Sequence, residues 1–106
     1  MTPKIIKKTW GHETIIYNNE YCAKTLSISP ASKTSQHYHR IKHETMTVVS
    51  GIAYIRFVNK TVVLHEGKSI IIEPETTHCI ENPSSSLPLL IVESSTFDSA
   101  EDSVRV

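Results

Sequence analysis

The sequence predicts an all-β domain whose strands close into a barrel or a jelly-roll sandwich. Three observations carry that prediction. Short runs rich in Ile, Val, Thr and Tyr follow one another along the chain, separated by turn residues. No stretch sustains the three-and-four spacing of apolar residues that marks a long helix. About ten short strands in one small domain leave edges that must be hidden, and closure of the sheets hides them.

The elements follow in order. The opening "MTPKIIKKTW" is charged and lacks the apolar core of a secretory signal. Its "PKIIKK" reads as an exposed β edge, which invites pairing with a second chain; a homodimer joined through N-terminal strands is expected. "HETIIYN" and "EYCAKTLSI" are the next strands, then "ETMTVVS", "IAYIRFV", "KTVVLH", "KSIIIE" and "LPLLIVES". Ser50-Gly51, Asn59-Lys60 and Glu66-Gly67 separate successive runs and read as hairpin turns. "NPSSSLP", from Asn82 to Pro88, is a polar loop, and the tail "DSAEDSVRV" reads as an acidic surface arm. There is no internal repeat and no break in composition, so residues 1–106 are expected to form a single domain.

Eleven basic residues balance eleven acidic ones. A nucleic-acid or anionic-membrane surface would show a basic excess, so neither partner is expected. No apolar run approaches the ~20 residues of a membrane helix. Two cysteines, Cys22 and Cys79, make no disulfide framework, and a reducing cytoplasm is the expected setting.

The chemistry concentrates in "HYHRIKHE", residues 37–44. Strand side chains alternate faces, so His37 and His39 share one face and Tyr38 takes the other. "RIKH" reads as a polar turn, after which Glu44 opens a strand and shares its inner face with Met46 and Val48. His43 falls outside. "ETTHCIEN" supplies His78 near the start of a short strand. Three imidazoles and a carboxylate suit one divalent transition-metal ion: Mn, Fe, Ni, Co or Zn. The expected metal ligands are therefore His37, His39, Glu44 and His78, with open positions for water or substrate. Glu73 and Glu75 flank Pro74 just before His78, and Glu75 is the candidate catalytic base.

This set resembles the cupin superfamily, whose first motif is G-x5-H-x-H-x3,4-E-x6-G. Here it reads "HYHRIKHETMTVVSG", with Ala31 and Ser32 near the place of the leading glycine. The second motif, G-x5-P-x-G-x2-H-x3-N, is matched by "GKSIIIEPETTHCIEN"; Pro74 is one place closer to the histidine and Glu75 falls at the second glycine. The resemblance implies a cupin-type jelly-roll β-barrel. Within cupins the chain looks like the cupin domain of type II mannose-6-phosphate isomerases. "KKTWGHETII" is similar to that family's "RPWGxYE" opening, and "YCAKTLSISPASKTSQHYH" to its central frame, placing Lys24 on the family's lysine. "EDSVRV" is similar to its ending, placing Arg105 on the final arginine. That family has Gln where His37 stands.

The resemblance implies an aldose–ketose isomerisation of a sugar or sugar phosphate through a metal-stabilised enediol, with Lys24 or Arg105 holding an anionic group and a carbohydrate as the small-molecule partner. Two other readings stay open: an Fe(II)-dependent, oxygen-using enzyme, and a sugar-binding or sensor module without turnover.

Overall fold

A computed structural model describes residues 2–106. The strands are β1 (Lys4–Lys8), β2 (Gly11–Asn18), β3 (Cys22–Ile28), β4 (His37–His39), β5 (Glu44–Ser50), β6 (Ala53–Phe57), β7 (Thr61–Leu64), β8 (Ser69–Ile72), β9 (His78–Glu81), β10 (Leu89–Ser95) and β11 (Ser103–Arg105). A 3₁₀ turn, Ala100–Asp102, precedes β11. One sheet runs β1-β2-β3-β10-β5-β8 and the other β11-β4-β9-β6-β7; the strand pairs are antiparallel. The jelly-roll barrel implied by the sequence is the observed architecture. Among the described residues no helix is long and apolar enough to cross a membrane.

The period-two pattern decides what the barrel holds. Cys22, Lys24, Leu26 and Ile28 all turn inward on β3. Glu44, Met46 and Val48 do so on β5, and Leu89, Ile91 and Glu93 on β10. Register then divides the interior in two. Ile91 pairs with Leu26 and Val48, and with Ile28, Leu89 and Ile55 these side chains fill one end. Each fully buried aliphatic chain there contributes about 1.5–3 kcal/mol. One step along the strands, Glu93 pairs with Lys24 and Met46, and the interior becomes charged. The apolar end is a plug; the charged end is a cavity.

Two features differ from the sequence reading. Asn59-Lys60 does close a hairpin, β6 to β7. Ser50-Gly51 and Glu66-Gly67 do not: β5 and β6, and again β7 and β8, lie in different sheets, so these turns carry the chain across the barrel. The alternation of runs and turns is the same in both cases, and only sheet membership tells them apart. The tail is also no surface arm. Its last strand, β11, pairs with β4, setting Ser103 against His39 and Arg105 against His37.

Local chemistry explains the entrances to the site. Gly11 has φ +146°, and a Cβ there would stand 2.0 Å from the Ser27 carbonyl oxygen, so only glycine lets β2 approach β3 so closely. Ala31 and Glu75, the two positions where the cupin-like motifs carry glycine, have φ +56° and +63°. The left-handed turns are kept although their glycines are not. Asn82 is 1 % exposed; its Nδ2 donates to the carbonyls of Ile28, Ser29 and Leu87, and its Oδ1 accepts from the Ser84 N–H. The last residue of the second motif is thus a structural clasp.

A three-histidine, one-glutamate cavity

The charged end opens as a cavity of about 550 Å³, within the ~300–1,000 Å³ usual for small-molecule sites. His37, His39, Glu44 and His78 all line it, which joins the four ligand candidates from three strands. β4 sends both of its histidines inward, and His37 is in register with His78 on β9. Nε2 of His39 and Nε2 of His78 each stand 3.5 Å from Oε2 of Glu44. The His37 ring lies between them in reach, with centroids 5.0 Å from His39 and 4.7 Å from His78. His43 is exposed and meets Glu73 at 3.1 Å, outside the cavity, as the alternation predicts.

The donor set has the electronic character of a cation site. Nδ1 of His78 donates to the Thr76 carbonyl and Nδ1 of His37 to the Ser35 carbonyl, both at 2.8 Å, in the tautomers that leave each Nε2 with a lone pair. Nε2 of His78 and Oε2 of Glu44 are buried and partnerless, as is Nδ1 of His39. These two atoms stand 3.5 Å apart. Ligand atoms about 2.0–2.2 Å from a shared ion stand roughly 3–3.5 Å apart, so the separation fits one. Among the described residues no group of three or more His, Cys, Asp or Glu stands gathered as a finished metal site.

Burial sets the protonation states. It pushes His39 and His78 down to about 4, with Lys42 adding to the effect, and lowers His37 as well. The imidazoles are therefore neutral at pH 7, the state that binds metal. Burial, reinforced by Glu93, pushes the Glu44 carboxyl up to about 8. Without a cation, a proton takes the place of one.

The remaining wall is an ion network that the sequence reading missed. Lys42 in the "RIKH" segment is 2 % exposed rather than part of a solvated turn. Its Nζ contacts Glu93 at 2.9 Å, Asp98 at 3.0 Å and Glu44 at 3.9 Å. Lys24 is buried beside it, 2.9 Å from Asp98, 3.4 Å from Glu13 and 3.9 Å from Glu93. Burial alone would lower the Lys24 ammonium, but Glu93, Asp98 and Glu13 outweigh it and hold it above the ordinary range. Burial likewise works against Asp98, yet Lys42 and Lys24 hold its carboxyl down at about 2. Lys24 lines the cavity with its charge already matched by carboxylates. Four carboxyl groups, those of Glu13, Glu44, Glu93 and Asp98, thus stand around two ammonium groups.

Of the other catalytic candidates, Arg105 lines the cavity on the same face as His37. Glu75 does not line it: its side chain is exposed, and only its backbone takes part, the N–H donating to the His39 carbonyl at 2.6 Å. The reading of Glu75 as base is corrected; it is a turn residue. Cys22 and Cys79 are buried free thiols, and burial raises both. Glu93 was legible, being two places beyond Ile91 on an alternating strand; Lys42 and Asp98, in irregular segments, carried no such signal.

Residues 2–106 match the family model described as mannose-6-phosphate isomerase C-terminal. A mannose-1-phosphate guanylyltransferase of Salmonella montevideo is 31% identical over 109 residues, covering 99% of this chain and 23% of that protein. One from Escherichia coli K12 is 32% identical over 104 residues, 94% of this chain and 21% of that protein. The chain thus spans about a fifth of the length of the curated relatives it matches. Among solved structures, the capsular polysaccharide assembling protein CapF of Staphylococcus aureus aligns with TM-score 0.82 at 19% identity, over 99% of this chain and 34% of CapF. An RmlC-like cupin from Shewanella frigidimarina aligns with TM-score 0.79 at 18% identity, over 93% of this chain and 87% of that one. These two likenesses establish the fold.

Proposed function

The chain belongs to the mannose-6-phosphate isomerase C-terminal family, and from that premise we propose that it is a metal-binding cupin domain that interconverts an aldose and a ketose, as the free sugar or its phosphate. The observation that carries this reading is the facing of two lone-pair acceptors, His78 Nε2 and Glu44 Oε2, in a buried cavity with His39 and His37 beside them. His37, His39, Glu44 and His78 would hold one divalent ion of Mn, Fe, Ni, Co or Zn. Such an ion supplies Lewis acidity to a carbonyl and the hydroxyl next to it.

The chain's own residues supply the rest. The Thr76 and Ser35 carbonyls fix the imidazole tautomers. Lys24, Lys42 and Glu93, all buried, and the half-buried Asp98 present donors and acceptors to sugar hydroxyls, fixed before the ligand arrives. Lys24 and Lys42 are neutralised by carboxylates, which leaves Arg105 to meet an anionic group at the exposed side of the cavity. The stabilisation must be greater for the enediol-like transition state than for the bound sugar if it is to raise rate.

Hydrogen exchange at carbon 2 of an aldose, or at carbon 1 of a ketose, followed by NMR in deuterated water, tests the reading. Mannose, fructose, lyxose and their phosphates are screened with Mn, Fe, Ni and Zn in turn. Metal-dependent exchange with at least one sugar is expected. A second reading, a module that holds a mannose phosphate without turnover, fits the relatives' names, which denote guanylyl transfer on mannose 1-phosphate. Saturable sugar binding without exchange would select it. Oxygen consumption by the iron form, with neither binding nor exchange, would select the oxygen-using enzyme.

A further inference from the structure

Resting on the isomerase reading, we propose that Glu13 is the general base that carries the proton between the two carbons. The reaction needs a carboxylate inside the cavity that is free to take a proton, and the wall offers four. Glu44 stands among the imidazoles. Asp98 is gripped through both oxygens, by Lys24 at 2.9 Å and by Lys42 at 3.0 Å. Glu93 turns Oε2 to Lys42 at 2.9 Å and accepts the Ser95 hydroxyl on the same oxygen at 3.1 Å. Glu13 meets only Lys24 among the described charged groups, at 3.4 Å, well beyond the ~2.7–2.9 Å of a strong charge-assisted bond. It is nevertheless 8 % exposed and lines the cavity.

Its position suits the task. In the sheet order β2-β3-β10-β5, Glu13 is three strands from Glu44. It is also offset along the strands: Glu13 pairs with Leu26, which is level with Ile91 and Val48, four residues along β5 from Glu44. Both side chains line the same cavity, so a sugar that fills it from the imidazoles toward Leu26 would meet Glu13 on the way.

The step balances without a co-reactant. Glu13 takes the proton from carbon 2, and the C–H electron pair becomes the double bond between carbons 1 and 2. The carbonyl π pair moves onto oxygen 1, which gains a proton from water. Return of the Glu13 proton to carbon 1, with loss of the oxygen 2 proton to water, gives the ketose. Lys24 beside Glu13 limits the charge left unmatched whenever the carboxylate is restored.

The test compares wild type, Glu13→Gln, Glu13→Asp and the exposed control Glu101→Gln, using the sugar that exchanges fastest in wild type. Exchange at carbon 2, sugar affinity by calorimetry and metal content are measured on each. Loss of a general base costs roughly 10²–10⁴-fold, so Glu13→Gln is expected to lose at least a hundredfold in exchange. Sugar affinity and metal content should stay within about twofold, which separates a chemical role from a binding one. Glu101→Gln should match wild type. If Glu13→Gln fails to fold, Glu13→Asp decides: it keeps the charge, shortens the reach, and should lose about tenfold in exchange with its melting temperature unchanged. Exchange in Glu13→Gln within threefold of wild type, or a loss that tracks weakened sugar binding, would overturn the assignment while leaving the isomerase reading intact. Wild type that binds sugar without exchange would overturn both.

Discussion

At the scale of single residues, Glu44 couples the cavity to pH. Its carboxyl lies at about 8 in the folded chain against 4.5 as its ordinary value. A raised group contributes stability that is full below the unfolded value and is lost as pH climbs through the folded one. His39 and His78, lowered to about 4 from 6.5, act in the opposite sense, but only as pH falls below 6.5. Between pH 6.5 and 8 Glu44 therefore decides the slope. The metal-stripped protein is expected to lose melting temperature over that window, and Glu44→Gln to flatten the loss; a flat wild-type profile would contradict the burial argument. Ala31 and Glu75 give a second residue-scale expectation. A left-handed backbone costs a non-glycine residue about 1–2 kcal/mol. Ala31→Gly and Glu75→Gly should each raise the melting temperature by a few degrees, read by thermal denaturation. The sequence marked both positions as departures from glycine, and alternation put His37 and His39 on one face, where β4 has them lining the cavity. It did not reveal that Lys24 would be neutralised, because ion pairs such as Lys24–Asp98 join residues 74 positions apart.

At the scale of elements, the C-terminal segment was the part least legible in the sequence. β11 is three residues long, and its partner β4 lies more than sixty positions earlier, so no local pattern announces the pairing. What holds it is Asp102. Its carboxylate accepts the backbone N–H groups of Arg40, Ile41 and Lys42 at 3.0, 2.9 and 3.0 Å. The turn between His39 and Glu44 is thereby shaped from the far end of the chain. Hydrogen bonds to a charged acceptor contribute about 1.5–3 kcal/mol each when sheltered, and less at a partly exposed site. Asp102→Ala should destabilise the fold by roughly 2 kcal/mol. Amide exchange at Arg40, Ile41 and Lys42 should accelerate more than in the β3–β10 ladder. Equal protection in both variants would show that the turn holds itself.

At the scale of the whole molecule, the barrel joins an apolar plug to a charged cavity; of the plug, the sequence placed Met46 and Val48 on an inner face, and the rest depends on which strands pair across the chain. The large sheet ends at β1, which pairs with β2 on one side only, and Ile5 on it is 66% exposed. A second copy pairing along that edge is our proposal for assembly, and light scattering at tens of micromolar should give twice the chain mass; a monomer mass would contradict it. The central claim is that one divalent ion is held by the imidazoles and Glu44, in place of the Glu44 proton. The most direct measurement is metal stoichiometry by elemental analysis after loading and desalting, on wild type, His39→Ala and His43→Ala. The account predicts one ion per chain in wild type and His43→Ala, and loss of most of it in His39→Ala. Equal retention in both variants, or no retained metal in wild type, would contradict it.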